Sequence, residues 1–159
     1  MKIKNLIAIA AICLVGAACT KNEEKTDGIA YEIEGIYTGP MQTEVKRAKA
    51  EEPVVPANVD VKITAQSADV ITIRFPESGN GSMTTPAWDL KDVKVVKSND
   101  TFTLSHNDME FSIGETAYVF AQFTGSVVNG KLIFSCDNTA AAMAQAGMSI
   151  TYKFNGDLK

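Results

Sequence analysis

From Ile29 onward, apolar and polar residues alternate with a period of two. In "MSITYKF" Met148, Ile150, Tyr152 and Phe154 share one face and Ser149, Thr151 and Lys153 the other; in "DVITIRF" Ile71, Ile73 and Phe75 oppose Thr72 and Arg74. That period marks a strand with one buried and one solvated face. "AYEIEGIYTG", "MQTEVKR", "NVDVKITA", "WDLKDVKVV", "TFTLS", "MEFSI", "AYVFAQFTG" and "KLIFSC" read the same way. Turn signals separate them: "SGNGS", "SNDT", "GE" and Asn129-Gly130, a dipeptide suited to a type I′ hairpin between "FTGSVV" and "KLIFSC". Short strands joined by hairpins predict an all-β, up-and-down antiparallel meander.

Four departures from the pattern refine it. The apolar phase slips between Leu90 and Val93, which predicts a bulge near Lys91-Asp92. Residues 48–57, "AKAEEPVVPA", read as a loop, because neither Pro53 nor Pro56 has an N–H to give to a ladder. "DNTAAAMAQAG" offers capping candidates, good helix formers and a closing Gly147, predicting one short helix over residues 139–146 that would suit the end of a barrel. Finally, "YTG", "FTG" and "FNG" each place an aromatic two residues before a glycine. In a strand, that spacing puts the ring in the core while the glycine allows a bend or a close backbone approach, as sheet closure requires.

The first eighteen residues fall outside this pattern. Lys2 and Lys4 precede the apolar run "LIAIAAICLVGAA", which has the length of a signal peptide rather than of a membrane span. The remaining residues form a tether, 19–28, and one domain, 29–159, as a chain of 159 residues with 45% hydrophobic content allows. Without the leader, 13 basic residues stand against 19 acidic ones, a net charge near −6. This excludes nucleic acid as a partner, since phosphate binding requires clustered Lys and Arg. Cys136 is the one cysteine left inside the domain, so no disulfide can staple it.

"GAAC" resembles the lipobox of bacterial lipoproteins, with Gly16 in place of the usual leucine three residues before the cysteine. The resemblance implies that Cys19 becomes the lipid-modified N-terminus; plain secretion is the alternative. "TKNEEKTDG" is polar, charged and Pro-free, as a tether should be. Glu23-Glu24 resembles the acidic signal that sends Bacteroidetes lipoproteins to the exterior face of the outer membrane. The expected location is therefore the outer membrane, with the lipid as the membrane partner and the domain facing outward.

Catalytic constellations are absent from the pattern. His106 is the single histidine, and "SHNDME" would set His106, Asp108 and Glu110 on one face if it were extended, though a turn reads equally well and no metal site is assigned. Cys136, in phase with Leu132 and Phe134, reads as a small buried apolar residue. Asp89 with Asp92 and Glu32 with Glu34 read as solvated outer-face carboxylates, and "SGNGS" lacks the lysine and helix of a phosphate loop. The expectation is a non-enzymatic protein without cofactor. Among the aromatics, Trp88, Tyr118, Phe120 and Tyr152 are the candidate ligand-binding residues, because a barrel of about eight strands either fills with side chains or holds one small ligand.

Taken together, "IEGIYTG", "VDVKITAQSADVITIRF", "WDLKDVKV", "FTGSVVNGKLIF" and "MSITYKFNGDLK" resemble the calycin-like β-barrel lipoproteins of Bacteroidetes. The resemblance implies an up-and-down barrel of about eight strands, related in shape to lipocalins. Two functions fit it: a barrel that binds a small apolar ligand or a protein partner, or a filled barrel serving as a structural or interaction subunit of an envelope assembly.

Overall fold

The computed structural model describes residues 27–47, 50–53, 57–80, 83–106, 109–113 and 116–159; the leader, Cys19 and Glu23-Glu24 lie outside them. A 3-10 turn, Tyr31–Ile33, leads into β1 (Gly35–Arg47), β2 (Ala50–Pro53), β3 (Ala57–Ala65), β4 (Val70–Phe75), β5 (Ser78–Asn80) and β6 (Met83–Thr85). Then follow β7 (Trp88–Ser98), β8 (Thr101–His106), β9 (Met109–Ile113), β10 (Thr116–Val128), β11 (Lys131–Ala140), α1 (Ala141–Gln145) and β12 (Ser149–Leu158).

Eight of these strands close on themselves in the order β1-β3-β4-β7-β8-β10-β11-β12 and back to β1, every pair antiparallel. Closure removes the unpaired edges that an open sheet of this length would expose. The remaining strands are accessories: β2 folds back on the end of β1, β9 pairs with β10, and β5 with β6 forms a separate two-stranded ribbon. Inward positions recur every second residue, as the alternation predicts. Ile71, Ile73 and Phe75 on β4, Leu132, Phe134 and Cys136 on β11, and Ile150, Tyr152 and Phe154 on β12 are all buried.

Turn chemistry sets the register. Asn129 and Gly130 adopt φ of 50° and 72°, the left-handed pair of a type I′ hairpin, and Val128 faces Lys131 across it. The expected bulge in β7 is present: Asp92 has φ 58°, and the register against β4 shifts between Ile71–Val93 and Ile73–Leu90. One extra residue there returns both Leu90 and Val93 to the core.

Several expectations need correction. "AYEI" is not a strand, because Tyr31–Ile33 winds into the 3-10 turn. "GIYTG" and "MQTEVKR" are one continuous strand through Pro40, which is exposed on it. The 48–57 loop contains β2, with Pro53 as its last residue, where a missing N–H costs least. The predicted helix shrinks to the single turn α1, because Thr139 and Ala140 remain paired with Val119 and Tyr118 as the end of β11.

The two barrel ends differ. Chain entry, the 66–69 connection and the two-residue turns 99–100 and 129–130 share one end; the long connections 48–56, 76–87, 107–115 and 141–148 share the other. The 3-10 turn packs into the first end, where Ala30 and Ile33 join the core. Ala30 N donates to Ala68 O at 3.0 Å, and the buried Tyr37 hydroxyl donates to Ile33 O at 2.8 Å. Burial pushes the Tyr37 phenol up to about 12 from an ordinary 10.0. Tyr37→Phe is expected to lower stability by about 1 kcal/mol at neutral pH, the usual net worth of one buried hydrogen bond. Because the folded-state value is the higher one, the phenol's stabilising contribution is complete below pH 10 and is lost as pH rises through about 12. Urea melts of both chains at pH 7 and pH 11 should therefore show a smaller difference at pH 11.

Candidate functional site

Two regions of the barrel are candidates: its interior and its outer wall. Inside, an aromatic chain runs from β4 and β7 to β12. Phe75 and Trp88 stack at 4.2 Å between centroids with an interplanar angle of 3°, Phe75 meets Phe134 edge-on at 5.2 Å, and Phe134 stacks on Phe154 at 5.2 Å. Phe123 joins Phe134 at 5.9 Å. These are the separations at which rings attract beyond simple area burial.

Of the four aromatics expected to bind a ligand, Trp88 is 5% exposed and Tyr152 is 3% exposed, both inside this core. Tyr118 and Phe120 lie on β10 opposite Ala140 and Asn138; their side chains fall outside the described residues. The described structure thus places Trp88 and Tyr152 in one packed interior.

The "YTG", "FTG" and "FNG" recurrences also resolve here. Phe154 lies so close to Gly156 that a Cβ on the glycine would sit 2.3 Å from the ring's Cζ, and a Cβ on Gly39 would sit 2.2 Å from Asn155 O and 2.5 Å from Gly156 Cα. The glycines are where rings and backbones need the space of a side chain.

The outer wall carries a different surface. Across β10, β11, β12 and β1 an open groove of about 680 Å³ is lined by Thr124, Ser126, Ile133, Ser135, Lys153 and Asn155, with Pro40 and Gln42 on its β1 side. Strand register explains it: Ser126, Ile133 and Asn155 form one cross-strand row, and Thr124, Ser135, Lys153 and Gln42 the next. Residues opposite each other in a ladder project to the same side, so both rows point outward. Short hydroxyl side chains leave the hollow, and longer Lys153 and Ile133 bound it. Sequence reasoning missed this site, because outward serines and threonines on strands carry no individual signal; only the register aligns them.

The remaining candidates have separate partners. Asp89 pairs with Arg74 at 3.1 Å and Glu32 with Lys97, while Glu34 accepts from Ala65 N, so neither carboxylate pair is arranged for acid–base chemistry. His106 ends β8 opposite Phe123, so "SHNDME" is broken between β8 and β9; residues 107–108 lie outside the described set. No cluster of metal-binding side chains occurs among the described residues. Cys136 is buried and free, and its thiol is pushed well above its ordinary range by burial and, secondarily, by the neighbouring Asp137 carboxylate. A thiol held protonated in this way is a poor nucleophile.

A family model for the calycin-like beta-barrel domain matches residues 33–157. The chain belongs to that family. Among solved structures, this calycin-like barrel is similar to a crystal structure from Bacteroides fragilis titled a "putative outer membrane protein", with a TM-score of 0.60 and 18% identity. The match covers 80% of this chain and 52% of that one, so the chain spans about half the length of its neighbour, and at that identity the likeness is one of fold. No curated protein matches the chain.

Proposed function

We propose that this calycin-like barrel is a non-enzymatic lipoprotein of the outer membrane, anchored through Cys19, facing the exterior, and binding its partner on the outer wall around a filled interior. The observation that carries this reading is the contrast between the two regions. Phe75, Trp88, Phe123, Phe134 and Phe154 occupy the interior ring against ring, while the 680 Å³ groove opens outside. A small apolar ligand near Trp88 and Tyr152 would have to displace packed rings, and overpacking a core costs roughly 1–3 kcal/mol per site. The family's fold and the neighbour's title support an envelope binding role.

Seven residues lie between Cys19 and Asp27, a span of eight residue steps and a reach of at most about 28 Å. Such an anchor keeps the short-turn end near the membrane and presents the long connections and upper wall outward. Trp88 is the chain's single tryptophan, so its emission reports on the interior. Titrating the purified chain in detergent with oleate and with 1-aminoanthracene should produce no saturable change in Trp88 emission. Saturable quenching at micromolar ligand would overturn the filled-interior reading and favour an internal apolar site.

A further inference from the structure

The outer-wall groove has a chemistry of its own, and the following rests on the reading that binding occurs on this wall. Its volume of about 680 Å³ falls within the range of small-molecule sites, roughly 300–1,000 Å³. The hydroxyls of Thr124, Ser126 and Ser135 and the amide of Asn155 make no hydrogen bond to the described residues. They leave donors and acceptors facing one hollow. Ile133, 46% exposed, supplies an apolar contact beside them.

Charge narrows the occupant further. Lys153 is the only cation among the groove's described lining residues, and its ammonium already donates to Glu44 at 2.7 Å, with the Gln42 amide donating to the same carboxylate oxygen at 3.3 Å. An anionic ligand would have to compete with that pair. Among the described lining residues there is no carboxylate to attract a cation, and the nearby Glu44 is taken up by Lys153 and Gln42. A purely apolar chain would gain contact with Ile133 and Pro40 but strip water from four hydrogen-bonding side chains without replacing those bonds.

We propose that the groove binds a neutral, polyhydroxylated ligand, a short oligosaccharide. Its hydroxyls would pair with Thr124, Ser126, Ser135 and Asn155, and the C–H face of a sugar ring would rest on Ile133. Phe134 and Phe154 border the groove, but their rings are buried in the core and offer no stacking platform. The site therefore requires several hydroxyl contacts at once, and the ligand must extend along both rows rather than sit at one residue.

The test uses the full chain purified in detergent and saturation-transfer NMR with three probes: maltotetraose, cellotetraose and mannotetraose. At least one should receive saturation from the wild type. Ser135→Arg, which fills the hollow, and Ile133→Lys, at a position exposed enough to tolerate the change, should each weaken binding tenfold or more. Lys91→Glu, exposed on β7, a strand that contributes no lining residue to the groove, should leave binding unchanged. Silence from all three probes overturns the proposal, as does full binding by folded Ser135→Arg and Ile133→Lys chains. Trp88 emission separates the two failures. If it stays constant while the probes are silent, the oligosaccharide site alone is wrong; if a probe changes it, the filled-interior reading is wrong as well.

Discussion

Gly39→Ala should destabilise the barrel by about 3 kcal/mol, at the upper end of overpacking costs. A Cβ at Gly39 meets Asn155 O at 2.2 Å and Gly156 Cα at 2.5 Å, and both are backbone atoms that no rotamer change can move. The seam between β1 and β12 must part to admit the methyl group. That seam matters more than an ordinary strand pair, because it joins the first and last strands of the barrel. Opening it exposes two edges at once. Gly125→Ala provides the comparison: its new Cβ meets Phe123 Cζ at 3.1 Å and Phe134 Cβ at 3.2 Å, contacts that a much smaller displacement relieves. Guanidinium melts followed by Trp88 emission should rank the variants wild type, Gly125→Ala, Gly39→Ala in falling stability. A Gly39→Ala chain with the wild-type midpoint would show that the seam is not packed as described.

Cys19→Ala should abolish incorporation of labelled palmitate and shift the protein from the detergent phase to the aqueous phase of a Triton X-114 separation. The physical basis is the thiol: alanine has no nucleophile to carry a diacylglyceryl group. Each buried methylene contributes about 0.8 kcal/mol, so two or three acyl chains hold a protein on a bilayer where one gives only marginal binding. Loss of the label is the deciding readout, because an uncleaved leader, with its apolar run, could itself retain some protein in the membrane fraction. An unchanged label in Cys19→Ala would remove the anchor and, with it, the orientation that places the short-turn end near the membrane.

Much of the fold was legible because strand patterning is local. Alternation in "DVITIRF" and "MSITYKF" marked inward residues correctly, since a pleated strand turns every second side chain to the same side whatever its neighbours are. Asn129-Gly130 and the Leu90–Val93 phase slip were equally readable, as backbone conformations that few residues favour. The misreadings arose where neighbours overrode local preference. "AYEI" alternates like a strand but winds into a 3-10 turn, its Ile33 buried at the barrel end and its last carbonyl tied to Tyr37. Residues 50–53 look like a loop, yet β1 runs past the end of its pairing with β3 and offers them an edge. The five-residue α1 lost its first residues to β11 because β10 was already there to pair with them.

For the candidate site the balance differs. The proposed anchor at Cys19 rests on sequence alone, since a cleavage signal is read along an extended chain. The aromatics were visible as residues but not as a packed core, because whether rings enclose space or fill it depends on which strands face each other. The groove was invisible in sequence: Thr124, Ser126, Ser135 and Asn155 come from three strands, and only the register lines them up. Period, turn type and the motif on which the proposed export signal rests are properties of a dozen contiguous residues and survive in the bare chain. Closure, ring packing and the composition of the outer wall depend on contacts between residues many positions apart, and they exist only once the eight strands have met.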